Sequence, residues 1–148
     1  MILDGFALVT GAGSGISRDI ALAYAASGAA GVAFADIDLK NAERVSAESK
    51  AVATNPDFRA LVLPVDVSLE QSVEQMMSEV VASFGRIDYA VNSAGIGVQH
   101  PAEVSETSLS KFDAFFSVNV RGTVIFTKVV SRAMKLQTRK TISGRNGT

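Results

Sequence analysis

Cysteine is missing from the sequence, which excludes disulfides, thiolate catalysis and cysteine-ligated zinc. Histidine occurs once, as His100, too few for a histidine-built metal centre, and no metal is expected. No apolar run approaches the ~18 residues that span a bilayer, so no membrane association is expected. The opening "MILDGFALV" lacks a basic flank and meets a glycine loop too early for a signal peptide, which leaves cytoplasm as the default compartment. Acid is missing from the last quarter. All 15 acidic residues precede residue 114, whereas 7 of the 14 Lys and Arg follow it. That asymmetry reads as a solvated helix face followed by a flexible basic tail over 137–148. The final "KLQTRKTISGRNGT" has no interleaved aromatic on which bases could stack, and no nucleic-acid partner is expected. What is present, 148 residues with 47% hydrophobic and 20% charged content, fits a single globular domain over residues 1–136 ahead of that tail.

Apolar runs and helical periods alternate along the chain. Phe6 to Val9 reads as a short buried strand. Ile16, Ile20, Ala23, Tyr24 and Ser27 then mark one helix face, ended by Gly28. "GVAFAD", Gly31 to Asp36, is a second strand, after which Asp38 can cap a helix carrying Leu39, Ala42, Val45, Ser49 and Val52. "RALVLPVD", Arg59 to Asp66, is a third strand. Pro64 places its own position at an edge or strand end, because it has no N–H to donate. Ser68 and Gln71 form a capping-box pattern before the helix of Leu69, Val73, Met76, Met77, Val80 and Phe84. "IDYAVN" is a fourth strand, and a long helix is expected from about Leu109 to Leu136. Strands separated by helices pair in parallel, since a parallel neighbour needs a crossover. Right-handed crossovers then give a doubly wound α/β sheet, which binds ligands beyond the carboxyl ends of its strands.

Each strand does end in suggestive residues. After the first comes "TGAGSGIS". The strict G-x-G-x-x-G spacing fails, but T-G-x-x-x-G-x-G matches Thr10, Gly11 and Gly15, with Ser17 in the last slot. Glycines let a backbone turn tightly against a diphosphate at a helix N-terminus. Asp36 ends the second strand, where a carboxylate can accept from a ribose 2′-hydroxyl and repel a 2′-phosphate. Asp66 ends the third, placed either to accept from an adenine amino group or to serve the turn before Ser68. "NSAGIG" follows the fourth, small where a ligand backbone would pass.

Taken together, "TGAGSGI", the acid in "FADID", "VDVS", "GRIDYAVNSAG" and "FFSVNVRGT" resemble, in order and spacing, the N-terminal part of a short-chain dehydrogenase/reductase, over about residues 4–136. The resemblance implies a Rossmann-type sheet of strand order 3-2-1-4, incomplete relative to the whole family fold. It implies a pyrophosphate held by Gly11, Gly15 and Ile16, with Gly13 and Ser14 in the same loop. Asp36 and Ile37 would take the adenosine ribose and ring, Asp66 and Val67 the adenine edge. Asn92, Ala94 and Gly95 would line the path to the nicotinamide. Asn119 matches the family's supporting catalytic Asn, which holds a water near the active-site Lys. With Asp36, this favours NAD as cofactor over NADP, and His100 would be solvent-exposed or near the substrate entrance. Ser17 and Ser93 depart from the pattern, replacing a glycine and the commoner second Asn. Serine at 17 gains roughly half a kcal/mol in helix propensity over glycine. Its extra atoms cost about 1–3 kcal/mol if packing against the sheet is tight.

The resemblance also implies an alcohol or ketone substrate, hydride transfer, and a proton-relaying Tyr four residues before a Lys. Tyr24 is followed at that spacing by Gly28 and Tyr89 by Ser93, and no third Tyr exists. In the family those residues follow a fifth strand. The expectation is therefore a partial sequence of a longer, homo-oligomeric oxidoreductase, inactive by itself, with its fourth strand and long helix open to association. Two alternatives stand beside it: a non-catalytic dinucleotide-binding module, and an interaction or nucleic-acid-binding protein using the basic C-terminal stretch.

Overall fold

A computed structural model describes residues 3–97 and 103–139. His100 and the segment 140–148 lie outside them, and with them most of the expected tail. Four parallel strands form one sheet: β1 (Phe6–Thr10), β2 (Gly31–Asp36), β3 (Arg59–Pro64) and β4 (Tyr89–Asn92), in the order β3-β2-β1-β4. The helices between them are α1 (Gly15–Ala26), α2 (Leu39–Val52) and α3 (Glu70–Phe84). A 3₁₀ turn at Val104–Glu106 leads to α4 (Leu109–Phe115), a π-helical segment (Phe116–Arg121) and α5 (Gly122–Leu136).

Strand side chains alternate between faces, and the core divides accordingly. Leu8 and Ala33 pack with Val73, Met76 and Val80 of α3 and Ile125, Phe126 and Val129 of α5. Ala7, Val9, Val32 and Phe34 pack on the opposite face with Ala21 of α1 and Ala42 and Val45 of α2. The result is a sheet between two helical layers, with every strand's carboxyl end opening toward one side. Pro64 ends β3, itself an edge strand, so its missing N–H breaks no ladder.

Four local features differ from the sequence reading. The sheet-facing stripe of α1 is Ser17, Ala21 and Ala25, with Ile16 and Ala23 exposed, because only small side chains fit where this helix lies close to the sheet. Strand four begins at Tyr89 rather than Ile87. The Ile87 N–H donates to Gln137 Oε1 (3.1 Å), and its carbonyl accepts from Gln137 Nε2 (2.7 Å). The Ser68–Gln71 capping box does not form. The Ser68 hydroxyl donates to Asp66 Oδ1 (2.6 Å), a charged acceptor, and Leu69 occupies the N-cap. The long helix runs over the expected span but carries the π-helical segment in its middle. By contrast Asp38 caps α2 as expected, accepting from Asn41 N–H at 3.1 Å.

The sequence's charge asymmetry is partly offset in space. Lys128 Nζ lies 2.6 Å from Glu70 Oε1, and Arg132 reaches Glu74 at 3.8 Å, so α5 sets cations against the acids of α3.

Candidate cofactor site

The loops leaving β1, β2, β3 and β4 surround one cavity of about 490 Å³. Of the residues singled out above, Gly11, Ser14, Gly15, Ile16, Asp36, Ile37, Asp66, Val67, Ala94 and Gly95 line it. Gly13 and Asn92 do not line it. They stand behind the wall and hold it. Ser17, Val65, Ser93, Ile96 and Val118 also line the cavity and were not assigned to it from sequence. Val118 comes from the π-helical segment, whose extra residue per turn is a feature sequence periodicity does not show.

The β1 loop is shaped by a close approach. Gly11 has φ +70°, and a Cβ there would lie 2.9 Å from Ala94 Cα, so no other residue lets the two loops meet. The loop rests on the end of β2: Gly13 N–H donates to Asp36 Oδ2 (2.8 Å) and Ala12 N–H to the Ala35 carbonyl (3.2 Å). Asp36 Oδ1 accepts the Asp38 N–H at 2.9 Å. A carboxylate oxygen has two lone-pair sites, so Asp36 retains acceptor capacity toward the cavity. Asp66 serves the turn: its Oδ1 also accepts the Ser68 N–H (2.9 Å), while its own N–H donates to Ser72 Oγ (2.9 Å). It lines the cavity as well.

Behind the wall runs a chain of hydrogen bonds. Ser93 and Ala94 N–H donate to the buried Thr10 Oγ1 at 3.2 and 3.3 Å. Thr10 Oγ1 donates to Asn92 Oδ1 (2.7 Å), and Asn92 Nδ2 to Thr123 Oγ1 (3.0 Å). Thr123 Oγ1 donates to the Asn119 carbonyl at 2.8 Å. The Asn119 side chain is a clamp: its Oδ1 accepts from Ile96 N–H and its Nδ2 donates to the Ile96 carbonyl, both at 2.9 Å. The helix is drawn onto the β3 loop at Gly122, where a Cβ would lie 3.0 Å from Val67 Cγ2, and Arg121 donates to the Ser68 carbonyl at 2.8 Å.

Chemically, the cavity suits an anion at its centre. The first turn of α1 presents N–H groups with no intrahelical partner. Ser14, its N-cap, makes no side-chain cap bond, and no acidic residue stands in that turn. This contrasts with α2, whose N-terminus Asp38 satisfies. The uncapped helix end faces the cavity with its positive dipole, a suitable seat for a phosphate group. Asp36 and Asp66 place carboxylates in the lining after β2 and β3, and Ala94 and Gly95 place small residues in it after β4. Among the described residues no lysine or arginine lines it.

The sheet, the loop and the uncapped helix agree with what comparison shows. A family model described as short chain dehydrogenase matches residues 5–145. The chain belongs to the short-chain dehydrogenase family. One relative, short-chain dehydrogenase anuF of Penicillium roqueforti, is 50% identical over 141 residues, covering 95% of this chain and 51% of the relative. Short-chain dehydrogenase srdC of Neurospora crassa is 48% identical over 137 residues, covering 93% and 50%. Among solved structures, levodione reductase superposes with a TM-score of 0.82 at 34% identity, over 91% of this chain and 51% of that one. The chain thus spans about half the length of the short-chain dehydrogenases it matches.

Neither tyrosine of this family member is near the cavity side of the sheet. Tyr89 opens β4 at the amino end of the strand, and its hydroxyl donates to the Asp4 carbonyl at 3.1 Å. Tyr24 packs against it, ring centroids 5.4 Å apart, and burial pushes its phenol above the usual range. Among the described residues no helix is long and apolar enough to cross a membrane, and no His, Cys, Asp or Glu cluster is placed to hold a metal ion.

Proposed function

We propose that this chain is the dinucleotide-binding part of an oxidoreductase that interconverts a hydroxyl and a carbonyl group, with NAD preferred over NADP. The observation that carries the reading is the uncapped α1 N-terminus at a cavity that the Asp36 carboxylate also lines. Gly11 and the Ser14–Ile16 turn would hold the diphosphate, Asp36 and Ile37 the adenosine ribose and ring, Asp66 and Val67 the adenine edge. Ala94 and Gly95 would leave room for the nicotinamide half. When bound, the nicotinamide supplies a carbon that takes or gives hydride. The Asp36 carboxylate favours a ribose carrying free hydroxyls and repels a 2′-phosphate, which is the basis of the NAD preference.

The chain's own residues bind and orient, and its two tyrosines do not serve as proton donors. A useful phenol has a lowered pKa and stands at the reacting atoms, whereas Tyr24 is pushed up and sits at the other end of the sheet. Residues 1–148 alone are therefore read as binding dinucleotide without turnover, and the parent protein as a homo-oligomer acting on an alcohol or ketone. Isothermal titration of the chain with NAD and with NADP tests the binding. The reading expects saturable NAD binding at least tenfold tighter than NADP, and equal or absent affinity would overturn it. A protein-dependent NADH signal with simple alcohols would overturn the inactivity.

A further inference from the structure

The buried Gly13 is gripped on both of its backbone polar groups. Its N–H donates to Asp36 Oδ2 at 2.8 Å, and its carbonyl accepts from Arg44 Nη2 at 3.1 Å. Arg44 stands on α2 and does not line the cavity. The same guanidinium donates through Nη1 to Glu48 Oε1 (2.7 Å), one turn further along α2. The other oxygen of Glu48 accepts from Nε (3.0 Å) and Nη2 (2.7 Å) of Arg18, in the first turn of α1. One carboxylate thus ties the helix that leaves the glycine loop to the arginine that grips the loop.

The loop needs such a grip at this residue. A Cβ at Gly13 would lie 2.8 Å from Asn41 Cβ and 2.9 Å from Asp36 Oδ2, so glycine is what fits between them. Glycine brings no side chain to restrict its own backbone, and the peptide that follows it is free to turn over. That peptide joins the Gly13 carbonyl to the Ser14 N–H, and a planar trans bond directs the two oppositely. With the carbonyl on Arg44, the Ser14 N–H is directed away from it, at a residue that lines the cavity. Among the described residues that N–H has no partner. Turned over, the same peptide would put a carbonyl oxygen where the N–H now stands, and its partial negative charge would repel an anion.

We propose that Arg44 is a positioning residue for dinucleotide binding: from outside the cavity it fixes the Gly13–Ser14 peptide in the orientation that suits a diphosphate, and Glu48 holds Arg44 in place. The proposal rests on the dinucleotide reading above. Arg44 acts through the loop and not through its charge, because its guanidinium is already engaged by Glu48 and the Gly13 carbonyl.

The test is calorimetric titration of the full chain and its Arg44→Met, Glu48→Ala and doubly substituted variants with NAD, at low salt and in about 1 M NaCl. The amide NMR signal of Ser14 and the melting temperature are read in each variant without ligand. Methionine keeps the apolar stem of Arg44 and removes its donors. Loss of one hydrogen bond from a charged group predicts that R44M weakens NAD binding about 3–10-fold. The loss persists in about 1 M NaCl, where the Debye length is about 3 Å and attraction between Arg44 and a distant anion is screened out. The Ser14 amide signal of free R44M shifts or broadens, since its peptide is no longer held. E48A has a smaller effect, and the double variant is no weaker than R44M, because Glu48 acts only through Arg44. Unchanged NAD affinity in R44M, a loss that vanishes in high salt, an unmoved Ser14 signal, or additive effects of the two substitutions would each overturn it. The Arg44 side chain is 52% exposed, so R44M is expected to fold. Should it not, Arg44→Lys stands in, keeping the charge without the fork: weaker NAD binding than the parent supports the proposal, and equal binding overturns it. Failure of the unsubstituted chain to bind NAD overturns the dinucleotide reading itself, whereas parent binding that R44M leaves unchanged overturns this inference alone.

Discussion

Asp36 supports the glycine loop and lines the cavity with the same carboxylate: its Oδ2 accepts the N–H of Gly13 at 2.8 Å, across 23 residues of sequence. The two tasks separate by substitution. Asp36→Ala leaves the buried Gly13 N–H without a partner, a loss of about 1–3 kcal/mol in stability. Asp36→Asn keeps a carbonyl oxygen for that bond and removes only the charge. Its stability should stay within about 1 kcal/mol of the parent chain, while its preference for NAD over NADP collapses. Denaturant melts and paired titrations check both. Retained NAD preference in the Asn variant would sink the electrostatic account.

Gly122 is where the long helix touches the β3 loop. Alanine gains about 1 kcal/mol of helix propensity over glycine. It also puts a carbon 3.0 Å from Val67 Cγ2 and 3.2 Å from the Val67 carbonyl oxygen. Overpacking of that kind costs about 1–3 kcal/mol and wins here, since backbone cannot rotate aside. Gly122→Ala is expected to melt lower than the parent. A higher melting temperature would show that the contact has slack.

Asn119 is expected to act on the loop it clamps. Asn119→Ala removes both bonds to Ile96. Amide hydrogen exchange at Ile96 should accelerate by at least about tenfold if the clamp limits opening, in line with one to two hydrogen bonds. Exchange unchanged from the parent chain would mean that the loop is held by something else.

Acid sensitivity has a named contributor in Glu48. Hydrogen bonds from Arg18 hold its carboxyl below the usual range, with Arg44 adding to the effect. Because the folded value is the lower one, the stabilisation is present above the unfolded value of about 4.3 and is lost as pH falls through the folded value. Glu70, held low chiefly by Lys128, acts in the same direction. The melting temperature should therefore drop below about pH 5 less steeply in Glu48→Gln than in the parent chain. Superimposable profiles would remove Glu48 from the account.

Self-association is expected of this chain. The outer side of the long helix exposes Leu109, Phe112, Phe116, Val120 and Val124, and among the described residues β4 pairs only with β1. Both features favour association. Size-exclusion elution that shifts with concentration would bear this out, and a sharp monomer peak at all concentrations would count against it.

The strands and the residues at their ends were legible because apolar runs and helical periods alternate cleanly, and a parallel sheet leaves little choice of where its loops converge; the strand order came from the family resemblance. Asp38 was legible as a cap for the same local reason. The stripe of α1 was not, since Ser17, Ala21 and Ala25 carry a weak hydrophobic signal while the apolar Ile16 is exposed at the cavity. The capping box at Ser68 failed because Leu69, not Ser68, is the N-cap of the helix, and the Ser68 hydroxyl belongs to the turn, donating to Asp66. The π-helical turn leaves no trace in apolar spacing. Ser17 looked from sequence like a packing burden, and only three dimensions supply Ser93 as its partner.

The hydrogen-bond chain from Thr10 through Asn92 and Thr123 to Asn119 also bears on the order of folding. Its links join residues 82 and 31 positions apart. Contacts of such separation form late, since loop-closure entropy is lost before they reward it. The hypothesis is that β1, α1 and β2 assemble first while the loop after Thr10 is still unshaped. Pulse-labelled hydrogen exchange would then find the Ser93 and Ala94 amides protected only once α5 has docked, and earlier protection would refute it. On this account the glycine loop, which directly follows β1, takes its final form among the last.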